Sequence, residues 1–498
     1  MTAAAVFVVP AAIAAEIDTS ALTRAVTATG IGKHLEAFQR IADRHGGNRA
    51  AGTAGYQASV DYVSKKLEAA GYDVTIQPFE VDFFQQLSRP RLVRTAPSRK
   101  AYKFGKDFLT MEYSGDGTID AELALAGGIQ IPPSPEPSST SGCRPKDFPA
   151  SVAGKIVLVQ RGGCDFAVKV ANANAAGAVG VLIFNEGQPG RRVAVNGTLG
   201  GPADIPAIGT SFRVGEGLYK LTQKGPVRMR LVVDAEIHRI ETSNVIAEWR
   251  GPRNGRAVVV GAHLDSVPQG PGINDNGSGS ATILEIALQM KRLNIKPRNT
   301  LRFAFWGAEE EGLFGSTHYV ESLSEGARAR IMANLNFDML ASPNFVRFVY
   351  DGDGSIGPEG PPGSAEIEHI FERYFSSKDL ATEPTLFDGR SDYLAFIQAG
   401  IPAGGLFSGA EEIKTKEQAK IFGGTAGEAY DACYHLACDD IPNISKKALN
   451  QFGKAAADAV MNLARRPDDI RPSGGEAGAE SASAAATAAI YRGRHLVR

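Results

Sequence analysis

Four short stretches in the second half of the chain are apolar almost throughout: RAVVVGAHLD, TLRFAFWGAEEEG, MANLNFDML and IPAGGLFSG. A run of this length with no polar face reads as a strand covered on both sides. The first three also run straight into acid or imidazole. RAVVVGAHLD ends in His263 and Asp265, TLRFAFWGAEEEG in Glu309, Glu310 and Glu311, and MANLNFDML carries Asp338. Helical segments separate them. SGSATILEIALQMKRL places Ile283, Ile286, Ala287 and Met290 on one face, with Ser278 or Ser280 as its N-cap, and STHYVESLSEGARARI reads as one helix. Strands alternating with helices imply an α/β fold with a mostly parallel central sheet and helices on both faces. In such sheets functional groups gather at the C-terminal strand edge, where these charged residues lie.

Two further residues join them. Asp275 lies in the turn-rich PGINDNGSGS, just before a helix, and His435 lies in CYHLAC. His263, Asp275, Glu310, Asp338 and His435 together are two imidazoles and three carboxylates, the donor set for a pair of zinc-like ions. Each also has an ordinary reading. His-x-Asp is a polar strand end, Asn-Asp-Asn-Gly is good turn chemistry, and acid beside a helix N-terminus is favoured by the dipole. Their common placement gives the set its weight. Asp265 is placed to accept the far N–H of His263 and fix its tautomer. Of the neighbours Glu309 and Glu310, one can bind metal while the other stays free as general base.

The chain has 498 residues and a formal net charge of -2. That length suits two or three domains, and near-neutrality argues against a nucleic-acid surface or a polybasic membrane patch. No apolar run is long enough to span a bilayer. Residues 1–16 are apolar and Ala-rich and read as the remnant of an export signal. Four cysteines fall into two local pairs, Cys143 with Cys164 and Cys433 with Cys438. They suit disulfides in an oxidising compartment, the alternative being four free thiols. Neither pair has the short spacing of a zinc-binding cysteine pair. A secreted or periplasmic protein is expected.

The texture divides the chain into a first α/β segment, residues 17–120, an inserted smaller α/β module, 121–235, a second α/β segment with the metal-type residues, 236–466, and a Gly/Ala/Ser-rich disordered tail, 467–498.

The stretches AHLDSVPQGPGINDNGSGSATILEIA, RFAFWGAEEEGLFGSTHYV, NFDMLASPN, GRSDYLAFIQAGIPAGGLFSGA and CYHLACDDI resemble the two-zinc aminopeptidases of the bacterial leucyl (aminopeptidase S/Y) type, nearly continuously from Ser243 to Pro442. GCRPKDFPASVAGKIVLVQRGGCDFAVKVANANAAGAVGVLIFNEG resembles a protease-associated (PA) domain, in which Cys143 and Cys164 would be paired. The resemblance implies a zinc-exopeptidase fold with two Zn²⁺ per subunit. Asp275 would bridge both ions, His263 and Asp338 would complete one, and Glu310 and His435 the other. It further implies Glu309 as general acid/base, Asp265 as orienter of His263, and Tyr434 as a polariser of the scissile carbonyl. Arg390 would contact substrate and Phe407 would line the pocket for its N-terminal side chain. Two positions depart from the relatives, which commonly have Asp at Asn276 and often His at Tyr393. The expected activity is removal of an N-terminal residue, apolar such as Leu, from peptides or proteins. The alternatives are a zinc carboxypeptidase of the same fold and a receptor-like relative without catalysis.

Overall fold

The computed structural model describes residues 17–135, 137–188 and 191–471. The export-signal remnant and residues 472–498 of the expected tail lie outside the described residues. Residues 467–471 belong to the body, since Ile470 is buried in the main core and Arg471 donates to Ala329 O at 2.8 Å.

The main sheet has eight strands, in the order Asp73–Gln86, Ala235–Trp249, Asn299–Trp306, Arg253–His263, Ile331–Phe337, Ala403–Phe407, Phe348–Tyr350 and Glu383–Thr385. The four central strands, Asn299–Trp306 to Ala403–Phe407, are parallel, and antiparallel pairings flank them. The period of a strand explains why the apolar runs show no polar face. Val258, Val260, Phe303 and Phe305 enter one core with the helices Ala28–Arg44, Gly277–Arg292 and Lys446–Arg465. Val259, Ala304 and Trp306, one residue out of step, enter another with Tyr319 and Phe396.

Two local expectations are corrected. The cap of helix Gly277–Arg292 is Asn276, whose Oδ1 accepts from Gly279 N at 2.9 Å, rather than either serine. Ser278 and Ser280 instead donate to the carbonyls of Asn274 and His263. The stretch 316–331 forms two helices, Phe314–Ser322 and Glu325–Ala329, because the Ser324 hydroxyl accepts from Ala327 N and caps a new start.

A second eight-stranded sheet runs in the order Lys100–Ala101, Arg91–Ala96, Arg228–Val233, Gly117–Leu125, Ile156–Gln160, Gly180–Phe184, Ala207–Thr210 and Phe108–Thr110. Gly117–Leu125 to Ala207–Thr210 are parallel. Helix Phe166–Ala175 packs on one face and Phe212–Thr222 on the other. The sheet takes strands from Arg91 onward, ahead of residue 121 where the composition changes. The chain enters and leaves through an antiparallel ribbon, Asp73–Gln86 against Ala235–Trp249, closed by Leu87 N to Asp234 O at 2.9 Å. Tyr113 O–H donates to Glu311 O at 3.0 Å, and Phe314 packs against the module's core. These contacts tie the module to the loop that carries Glu309 and Glu310.

Candidate metal centre and cleft

All five metal-type residues converge at the C-terminal edge of the central strands. His263 ends its strand, Asp338 follows Ile331–Phe337, and Glu310 follows Asn299–Trp306. Asp275 directly precedes Asn276, the cap of the helix that follows His263. His435 arrives from the far end of the sequence in the Cys433–Cys438 loop, a disulfide with Cα atoms 5.3 Å apart.

Asp275 stands between two imidazoles. Its Oδ1 is 3.2 Å from His263 Nε2 and its Oδ2 is 3.1 Å from His435 Nε2. His263 Nε2 also faces Asp338 Oδ1 at 3.4 Å, and His435 Nε2 faces Glu310 Oε2 at 3.1 Å. Two donor groups result, His263/Asp275/Asp338 and Asp275/Glu310/His435, each tight enough to hold one metal ion. Glu309 Oε2 lies outside both groups, 3.9 Å from His263 Nε2.

The charge balance fits cations here. Asp275, Glu309, Glu310 and Asp338 are all buried within reach of the two imidazoles. Concentrating carboxylates out of water is costly without compensating positive charge. Burial pulls the His435 imidazolium down, but Glu310 and Asp275 outweigh it and hold the group up to about 10. His263 is likewise held well above its ordinary range, burial being overcome by Glu309 and Asp338. Burial raises Asp275, yet its bonds to both imidazoles hold it well below the usual carboxylate range. Glu310, where burial and Asp275 prevail over His435, is pushed up. The pocket thus draws cations, and neutral imidazole with carboxylate oxygen suits Zn²⁺.

The surrounding residues fix this geometry. Asp265 Oδ1 faces His263 Nδ1 at 3.6 Å, and its two oxygens accept from the backbone N–H groups of Glu309 and Glu310 at 3.3 and 3.2 Å. One carboxylate therefore faces an imidazole and anchors the acidic loop. Asn276 Nδ2 donates to Phe337 O at 2.9 Å, and its Oδ1 accepts from Met339 N at 3.2 Å, clamping the Asp275 turn to the Asp338 strand end. The amide supplies a donor that a carboxylate lacks. Ala308, Met339 and His435, each within two residues of a candidate ligand or a ligand itself, have positive φ of 55°, 52° and 58°. Strained backbone of this kind costs about 1–3 kcal/mol per residue and clusters at functional sites.

Several contributors escaped the sequence reading. Asp439 receives Asn274 N and Asp275 N on its two oxygens, at 2.8 and 2.9 Å, and burial raises its pKa to about 7. Buried Arg49 donates to the carbonyls of Leu264, Pro271 and Gly272, holding the loop between His263 and Asp275. Ser391 donates to Asp338 Oδ2 at 2.6 Å. Nothing local marks these residues in sequence, because each bonds to a segment far along the chain.

Arg390 and Tyr434 both line the cleft above the centre. Arg390 donates to Glu411 at 2.9 Å, Glu412 at 3.1 Å and the Tyr434 hydroxyl at 3.3 Å. Its observed contacts are therefore with these three side chains, and it holds Tyr434, whose ring stacks on His435 at 3.8 Å. Tyr393 is buried and donates to Asp388 Oδ1 at 2.9 Å, bracing the loop that carries Arg390. Phe407, with Met339, Tyr350 and Leu394, lines an apolar part of the cleft. The second disulfide joins Cys143 to Cys164, with Cα atoms 5.8 Å apart.

Residues 244–460 match peptidase family M28, and residues 121–218 match the PA domain. An aminopeptidase of Pseudomonas aeruginosa is 46% identical over 442 residues, covering 88% of this chain and 81% of the relative. The chain belongs to peptidase family M28. As a member it is a peptide hydrolase. The leucine aminopeptidase 2 of Arthroderma otae is 42% identical over 438 residues, covering 86% of this chain and 83% of the relative. Among solved structures, an aminopeptidase from Aneurinibacillus sp. strain AM-1 superposes with TM-score 0.71 at 26% identity, over 91% of this chain and 98% of that one. A zinc aminopeptidase from Bacillus subtilis gives TM-score 0.59 at 26% identity, over 90% and 97%.

Proposed function

We propose that this member of family M28 is an exported aminopeptidase that holds two Zn²⁺ ions and removes N-terminal apolar residues, leucine foremost, from peptides. The observation that carries the reading is Asp275, which offers one oxygen to the His263 group and the other to the His435 group. Relatives named aminopeptidase and leucine aminopeptidase, and a structural neighbour named a zinc aminopeptidase, support it.

His263, Asp275 and Asp338 would hold one ion and Asp275, Glu310 and His435 the other. When bound, zinc supplies Lewis acidity that polarises a carbonyl and lowers the pKa of a water. Glu309 borders the cleft outside both donor groups. There it takes the proton of the attacking water and passes it to the leaving amine. The acidic floor formed by Glu309 and Asp338 receives the substrate's ammonium group, which restricts cleavage to the first residue. Tyr434, braced by Arg390 over His435, donates to the developing oxyanion. Phe407, Met339, Tyr350 and Leu394 receive an apolar first side chain. The two disulfides support a secreted or periplasmic location. No helix of the described residues is long and apolar enough to cross a membrane.

The test is hydrolysis of aminoacyl anilides and their N-acetylated forms, with the metal chelated and then restored. The reading expects leucyl anilide to be cleaved only with metal, and the acetylated form to resist. Unchanged cleavage after full chelation would overturn it, and cleavage of blocked peptides at the C-terminus would replace it with a carboxypeptidase.

A further inference from the structure

The cleft over the metal centre is not enclosed by the peptidase sheet alone. It has a volume of about 1150 Å³, and Arg161, Asp165, Glu186 and Arg191 of the inserted module line it together with Glu309 and His435. The module reaches it by the same topological rule as the peptidase. Arg161 directly follows the parallel strand Ile156–Gln160, and Glu186 lies two residues beyond its neighbour Gly180–Phe184. Two parallel sheets therefore turn their C-terminal edges toward one cavity.

Arg161 differs from its neighbours on that wall. It is 8% exposed, and among the described residues its guanidinium has no hydrogen bond and no ion pair. Only its backbone N–H is engaged, with Phe184 O at 2.8 Å. Glu186 attracts it through space but makes no hydrogen bond to it. Glu186 Oε2 is paired with Arg191 at 2.6 Å. A guanidinium carries five donors in a rigid fork suited to a carboxylate, and here they open on the cleft. Burial and the repulsion of Arg191, partly offset by the attraction of Glu186, lower its pKa to about 10, which leaves it charged at neutral pH. The position is built rather than incidental. The Cys143–Cys164 disulfide closes the Arg161-Gly162-Gly163-Cys164 turn, and Lys169 Nζ, from the helix Phe166–Ala175, donates to Gly162 O at 2.8 Å. A Cβ at Gly162 would lie 2.3 Å from Glu186 Oε1, so the turn admits no side chain there.

We propose that Arg161 is an anion subsite of the cleft, which takes a carboxylate on the leaving-group side of the substrate. This rests on the aminopeptidase reading above. It names a substrate class: short peptides whose C-terminal carboxylate reaches the module wall, or peptides with an acidic side chain at the same distance. The acidic metal edge receives the substrate's ammonium end and the module's arginine its carboxylate end.

The test compares leucyl peptides of two to five residues as free acids and as C-terminal amides, with amidated peptides carrying one aspartate as a third arm. The expected result is a kcat/KM ratio of acid to amide of roughly tenfold or more at one length, the size of a charge-assisted hydrogen bond. The aspartate arm shows whether a side-chain carboxylate substitutes for the terminus. In Arg161→Gln the ratio falls to about one, and Arg161→Lys keeps part of it; because it is a ratio within one protein, loss of folded enzyme does not mimic the effect. Equal rates for acid and amide at every length with no gain in the aspartate arm, or a preference that survives Arg161→Gln, would overturn the subsite while leaving the aminopeptidase reading in place. Failure of the zinc-loaded enzyme to cleave leucyl anilide would overturn both.

Discussion

The two sheets of this protein share a plan and differ in charge. Each has eight strands with a run of four adjacent parallel ones, and each uses a disulfide to hold a loop at the shared cleft. At the peptidase edge the strand ends deliver His263, Asp338 and the Glu309–Glu310 pair. At the module edge they deliver Arg161 and the paired Glu186 and Arg191. The same architecture thus produces an acidic floor and a cationic wall, so the chemistry lies in the few side chains at strand ends and not in the fold.

The comparison breaks most clearly at Glu309. Glu309→Gln removes the proton carrier from the acidic edge and leaves both donor groups intact. We expect kcat for leucyl anilide to fall about 10²- to 10⁴-fold with bound zinc unchanged. Near-normal turnover would remove Glu309 from its role. A smaller effect is expected one layer out. Asp439→Asn retains one acceptor for the N–H groups of Asn274 and Asp275 but sets an amide against the other. Zinc affinity should fall by about 10- to 100-fold, read by competition with a chromogenic chelator.

Proton competition sharpens the contrast further. In the ion-free site His435 is held protonated up to about 10 and His263 well above its ordinary range. Metal binding needs both imidazoles neutral, so it must expel their protons. Apparent affinity should therefore rise with pH between 6 and 8, by up to about tenfold per unit for each imidazole. Calorimetry in buffers of different ionisation enthalpy reads the released protons, and an affinity flat in pH would contradict the assignment. The smallest effects separate the two disulfides. Loss of Cys143–Cys164, with its longer loop, should cost about 3 kcal/mol of stability, and loss of Cys433–Cys438 about 2. The activity loss should run the other way, because only the second holds His435.

Much of this was legible in the sequence, for physical reasons. The apolar runs announced strands covered on both faces, and Val258, Val259 and Val260 do alternate between two cores. Charge placed directly after such runs located His263, Glu310 and Asp338. Other features were not legible. Ser278 and Ser280 had the composition of an N-cap, yet Asn276 caps the helix while clamping the Phe337–Met339 strand end. Arg49 and Asp439 act through residues more than 160 positions away, beyond the reach of any local pattern. Arg390 lines the cleft where substrate contact was expected, while its pairing with Glu411 and Glu412 is created only by the fold. Nothing local marks Arg161 in the sequence, because only the fold turns the module's strand ends toward the metal edge.

The central claim is that the acidic edge is a two-ion site bridged by Asp275. Zinc per chain, measured by elemental analysis of the purified protein alongside Asp275→Asn, tests it most directly. The account predicts two equivalents in the wild type, lost together with activity on chelation and absent from the variant. One equivalent or none in the fully active wild type, or two retained in Asp275→Asn, would contradict it.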